Sequence, residues 1–107
     1  MRDFATTQFG QMVHGDSQEL LRGMADKSVD LIMTSPPFGL VRKKAYDNVD
    51  AGEYVDWFRP FGWLFKRVLK DNGSLVIDIG SAWVSGQPTK SLYHYKLLIT
   101  LCEEIGF

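Results

Sequence analysis

Apolar positions along the chain switch repeatedly between short continuous runs and stripes of helical period, the signature of strands followed by helices. Residues 11–13 read as a short strand ending at Gly15-Asp16, and residues 17–24 carry Leu20, Leu21 and Met24 at helical spacing. Asp16 is placed to cap that helix, with Glu19 completing a capping box. Ala25-Asp26-Lys27 marks a turn, and residues 29–34, with Val29, Leu31, Ile32 and Met33, form the second strand. From 38 to 50, Gly39, Asn48 and several charges mix without a period, which predicts a long loop of the kind that carries function or motion.

The longest helix is predicted over 53–69, where Tyr54, Trp57, Phe58, Phe61, Leu64, Phe65, Val68 and Leu69 trace one broad apolar stripe. The stripe reads as core rather than a cofactor-binding face, and Pro60 inside it should kink the helix. Asp71-Asn72-Gly73 is expected to close the helix as a turn before a third strand at 74–79, largely apolar in the manner of buried parallel strands. A loop follows over 80–90, then a last helix at 91–104; Gly106-Phe107 resembles the opening of a strand. No repeat, low-complexity tract or linker interrupts this order.

With 107 residues, the chain is one domain at most and can build only a modest core. A formal charge of −1 gives no global basic field, so any contact with nucleic acid must rest on local clusters. One cysteine, Cys102, allows no internal disulfide and fits a reducing compartment. No uncharged run approaches the roughly 20 residues of a membrane span, and residues 1–7 lack the apolar core of a signal peptide, so a soluble cytoplasmic chain is expected.

Chemistry concentrates at Thr34-Ser35-Pro36-Pro37-Phe38. A β-rich run that meets two consecutive prolines must leave its sheet there, because neither has an N–H to donate and each fixes φ. The carbonyls of Ser35 and Pro36 are then free to face a ligand, with the Phe38 ring beside them, at the carboxyl end of a strand where α/β folds keep their sites. Such acceptors next to a flat apolar surface suit a planar ring bearing an amino group.

This Ser-Pro-Pro-Phe element resembles the catalytic motif of the amino-methylating DNA methyltransferases, and the serine form resembles the cytosine-N4 branch. The likeness extends through His14-Gly15-Asp16-Ser17, Leu20-Leu21, Phe65-Lys66-Arg67-Val68-Leu69-Lys70, Gly73-Ser74-Leu75-Val76-Ile77-Asp78-Ile79-Gly80 and Gln87-Pro88-Thr89, and is greatest to PvuII-like cytosine-N4 enzymes of restriction-modification systems. It implies an α/β, Rossmann-like S-adenosylmethionine-dependent methyltransferase fold, incomplete, with three of the central strands and their helices. Those strands would be the family's third, fourth and fifth, the third lying on the far side of the first and second. It further implies double-stranded DNA as partner and a bacterial or archaeal cytoplasm. The family's Phe-x-Gly-x-Gly cofactor segment and its target-recognition region are not found in these residues, so the chain is expected to be the amino-terminal catalytic portion of a longer enzyme, or to need a complementing half.

By the same resemblance Ser35, Pro36, Pro37, Phe38 and Asp78 would be catalytic, and Asp16, Ser17 and Thr34 would contact the cofactor; by its charge the run Arg42-Lys43-Lys44 is a candidate for contact with DNA phosphates. Plainer readings stand beside these: Asp16 as a helix cap, Asp78 as a surface carboxylate, Arg42-Lys43-Lys44 as a solvated loop run. Trp83 reads as packing, His94 as helix surface and Cys102 as a core residue of the last helix; His14 and His94 lack companions for a metal site. An adenine-N6 enzyme would use the same pocket, and an inactive remnant or a non-enzymatic DNA-binding subunit of a split system is the alternative from another class.

Overall fold

The structure is a computed structural model that describes residues 2–37, 53–81, 84 and 86–107. Its first elements are β1 (Arg2–Thr6) and β2 (Gln11–His14), an antiparallel hairpin with Arg2 opposite His14 and Thr6 opposite Gln11. The hairpin turns where the Thr7 amide donates to the Gly10 carbonyl at 2.7 Å. β1 is not apparent in the apolar pattern, because the hairpin is exposed on both faces and shows no buried alternation.

Helix α1 (Ser17–Arg22) starts at Asp16, whose carboxylate accepts from the Gln18 amide at 2.8 Å, and ends at Gly23. The cap is therefore an Asp16 bond to the helix's second amide. The reciprocal bond expected of Glu19 is not formed among the described residues.

β3 (Val29–Thr34) occupies the residues its sequence pattern predicts. Helix α2 (Tyr54–Val68) runs through Pro60 without ending, although Asp56 loses its i+4 donor there. It passes directly into β4 (Leu69–Ile77), which pairs parallel with β3. The turn expected at Asp71-Asn72-Gly73 instead lies within β4. The register steps from Val29 opposite Leu69 to Leu31 opposite Ser74, so the intervening residues bulge out of the ladder. A Cβ on Gly73 would lie 3.1 Å from the Asp30 carbonyl and 3.0 Å from Leu69 Cδ2, which is why the bulge closes on glycine.

Helix α3 (Tyr93–Ile99) continues as a π-helical segment, Thr100–Ile105, ended by Gly106 at φ 100°. Residues 106–107 form no strand. Tyr93, Leu97, Leu101 and Ile105 follow one another at four-residue steps and are all buried. Cys102, the next residue round from Leu101, is exposed, so it is not the core residue the sequence leads one to expect.

The core is where this stripe meets Tyr54, Phe58, Phe65 and Val68 of α2 and Leu21 of α1, with Ile32, Leu75, Ile77 and Ile79 packed beneath. Burying each such side chain contributes about 1.5–3 kcal/mol. One face of the parallel pair is thus covered by helices. The opposite face leaves Leu31 and Met33 exposed, 52 % and 71 %. Among the described residues β2 pairs with β1 and not with β3 or β4.

Candidate active site

The two parallel strands end side by side. Thr34 and Ile77 are their last partners, and the ladder reaches one step further where the Asp78 amide donates to the Thr34 carbonyl at 2.9 Å. That bond sets Ser35 and Asp78, each the first residue beyond its strand, next to one another. The Ser35 hydroxyl donates to Asp78 Oδ2 at 3.3 Å, a long hydrogen bond between two exposed side chains. Residues 43 positions apart are brought together by strand pairing alone.

Ser35, Pro36 and Pro37 also wall a cleft of about 500 Å³, and Ser17 and Thr34 are among its lining residues. Its far wall is aromatic: Trp57, Phe58, Phe61 and Phe65 face it from α2. The stripe read as core therefore serves two purposes, since Phe58 and Phe65 are buried in the core and also bound the cleft. The i, i+3, i+4 clustering of these rings marks a broad apolar face, and only the position of α2 beside the Ser-Pro-Pro segment assigns part of it to a cavity. Asp78 stands outside the cleft lining and reaches it through Ser35.

Of the cofactor residues implied by resemblance, Ser17 and Thr34 lie in the cleft, whereas Asp16 is engaged as the α1 cap and is not in the lining. Phe38, Arg42, Lys43, Lys44 and Trp83 lie outside the described residues. Among the described residues, no three His, Cys, Asp or Glu side chains gather as a metal site would need, and no helix is long and apolar enough to cross a membrane.

A parallel strand pair ending in a Ser-Pro-Pro segment beside a carboxylate, with helices over one face, is part of a Rossmann-like methyltransferase unit. The chain belongs to the DNA methylase family, whose profile matches residues 29–107. It is 48 % identical over 102 residues to the type II methyltransferase M.PvuII of Proteus hauseri, a match spanning 95 % of this chain and 30 % of that enzyme. It is also 36 % identical over 85 residues to type II methyltransferase M.BamHI of Bacillus amyloliquefaciens, across 72 % of this chain and 19 % of the relative. The solved structure of PvuII DNA methyltransferase, described as cytosine-N4-specific, superposes with a TM-score of 0.80 at 47 % identity, covering 95 % of this chain and 36 % of that one. The chain thus spans about a third or less of the length of these relatives.

Proposed function

We propose that these residues form the target-amine half of a DNA methyltransferase active site, which transfers a methyl group from S-adenosylmethionine to the N4 amine of cytosine in duplex DNA, within a restriction-modification system. The hydrogen bond from Ser35 to Asp78 at the end of the parallel pair carries this reading. The 48 % identity to M.PvuII and the cytosine-N4 description of the similar structure support the choice of amine.

An exocyclic amine on an aromatic ring is a poor nucleophile, because its lone pair is delocalised into the ring. Acceptors that bind its N–H groups out of the ring plane localise that pair and aim it. The Ser35 oxygen and the carbonyls of Ser35 and Pro36 suit that task. Because Ser35 gives its own proton to Asp78, its lone pairs remain free to accept from the amine.

S-adenosylmethionine, when bound, supplies a methyl group on a sulfonium, so the N–C bond forms as the C–S bond breaks. The nitrogen must then shed one proton. Ser35 takes it as Asp78 takes the serine's proton, a two-step relay within the observed pair. Reaching the amine requires extruding the base from the duplex, and Phe38 is the ring assigned to stack on it.

The residues present fit part of the cofactor. An aromatic-walled cleft of about 500 Å³ lined also by Ser17 and Thr34 is of a size and character to take the adenosine portion, with Ser17 and Thr34 as polar contacts and Asp16 at the α1 start nearby in sequence. The methionine portion needs the Phe-x-Gly-x-Gly segment, which these 107 residues do not contain. We assign that segment and the base-reading region to parts of the enzyme outside these residues, in the same chain or in a complementing half, and phosphate contact to Arg42, Lys43 and Lys44.

The test supplies that half and follows radiolabelled methyl transfer into duplex DNA, with nucleoside analysis of the product. N4-methylcytosine is expected. N6-methyladenine would move the assignment to the adenine branch, and no product with any base would favour a non-catalytic subunit. Asp78→Asn and Ser35→Ala should each lower kcat by about 10²–10⁴-fold. Full activity in both variants would remove the relay.

A further inference from the structure

We infer that Tyr93 is a positioning residue for the Ser35–Asp78 pair, acting through the backbone that carries Asp78. Three residues, Asp78, Ile79 and Gly80, follow the end of β4 before the chain leaves for the loop. The first is anchored to β3 by its amide, which donates to the Thr34 carbonyl at 2.9 Å. The last is anchored to the helices, because the Tyr93 hydroxyl donates to the Gly80 carbonyl. Ile79 packs against the core between them. The Asp78 carboxylate is therefore held in a span fixed at both ends.

Tyr93 is well made for an anchor. It is 2 % exposed, its ring centroid lies 4.9 Å from that of Tyr54, and it sits at the start of α3, where its own amide donates to Ser91 Oγ at 3.2 Å. Its phenol oxygen cannot move without displacing the core. Asp78, by contrast, is exposed and makes a 3.3 Å bond to Ser35, already near the limit of a useful hydrogen bond. Small displacements of residues 78–80 would break that bond, and strand ends fray unless tied. Tyr54 provides an internal comparison: its ring belongs to the same cluster, yet its hydroxyl has no partner among the described residues.

The catalytic consequence rests on the methyl-transfer reading above; the structural clamp does not. Amide hydrogen exchange on the 107-residue chain tests the clamp in wild type, Tyr93→Phe and Tyr54→Phe. Tyr93→Phe should speed exchange of the Asp78 amide by about tenfold, the effect of one lost hydrogen bond, while the Ile32 and Leu75 amides keep their rates. Tyr54→Phe should leave Asp78 unchanged. An unchanged Asp78 amide in Tyr93→Phe, or equal acceleration throughout β3 and β4, would overturn the proposal, as would a Tyr93→Phe chain that does not fold. The wild-type chain offers a second check, a protected Tyr93 hydroxyl proton with a cross-peak to Gly80, and its absence would also count against the clamp. In the complemented enzyme, Tyr93→Phe should lower kcat about tenfold with KM for DNA unchanged. A wild-type assembly that transfers no methyl group would defeat the functional reading alone, leaving the exchange result to decide the clamp.

Discussion

Tyr54 carries a phenol into the core at 0 % exposure with no hydrogen-bond partner among the described residues. Burial, and secondarily the neighbouring Tyr93, push its pKa well above the ordinary 10.0. The folded state therefore holds the proton more tightly than the unfolded chain does. The sign follows: Tyr54's contribution is intact below about pH 10, where both states are protonated, and is lost as pH climbs past that value toward the folded pKa. Replacing the phenol by phenyl removes both the unpaired hydroxyl and its titration. Tyr54→Phe should melt higher at pH 8 by the equivalent of ~1 kcal/mol, and the gap should widen by pH 11. A lower melting temperature for Tyr54→Phe at pH 8 would mean that the hydroxyl has found a partner.

At the scale of elements, α2 organises the molecule, and Gly62 lets it do so. A Cβ built there would stand 2.6 Å from Ile105 Cδ1 and 3.1 Å from Leu101 Cδ2, so the π-helical segment approaches α2 more closely than any side chain at 62 permits. Both neighbours are buried and have little room to swing away. Gly62→Ala should therefore lower stability by ~1–2 kcal/mol, overpacking outweighing the gain in helix propensity, as read by chemical denaturation. A stabilised variant would show that the two segments can separate at little cost.

Much of this element arrangement is legible in sequence, because long apolar stripes and a continuous β run are dictated by burial. β3 and most of α2 are where their patterns place them. The Ser35 and Asp78 neighbours could be anticipated only as residues at two strand ends; their hydrogen bond depends on the register set by the 70–73 bulge, which no local pattern announces. β1 leaves no mark in the apolar pattern because its burial is uniform, and the π-helical winding leaves none because Leu97, Leu101 and Ile105 satisfy helical spacing either way. The Tyr93 link to Gly80 has no sequence signal, since a tyrosine at the start of a helix does not show whether its hydroxyl is used.

For the whole molecule, the decisive feature is the sheet face that the helices leave bare. Parallel strands are normally covered on both sides, yet here Leu31, Met33 and Val76 are exposed, and among the described residues β3 pairs with no strand on its other edge. A bare apolar face joined to an open edge favours burial against whatever is available, which for this chain alone is another copy of itself. Sedimentation of the isolated 107-residue chain should show concentration-dependent association, accompanied by a broad thermal transition. Leu31→Glu with Val76→Thr, which charges the bare face at residues outside the cleft lining, should weaken association about tenfold or more. A sharp cooperative melt as a monomer would show that the helical layer alone supports the fold. Association that instead survives both substitutions would point to the hairpin, where Phe4 and Phe9 are 70 % and 92 % exposed, as the adhesive surface. If the sheet face is responsible, adding the proposed complementing half should suppress association in step with the appearance of methyl transfer, because the same surface would then be buried in the assembled enzyme.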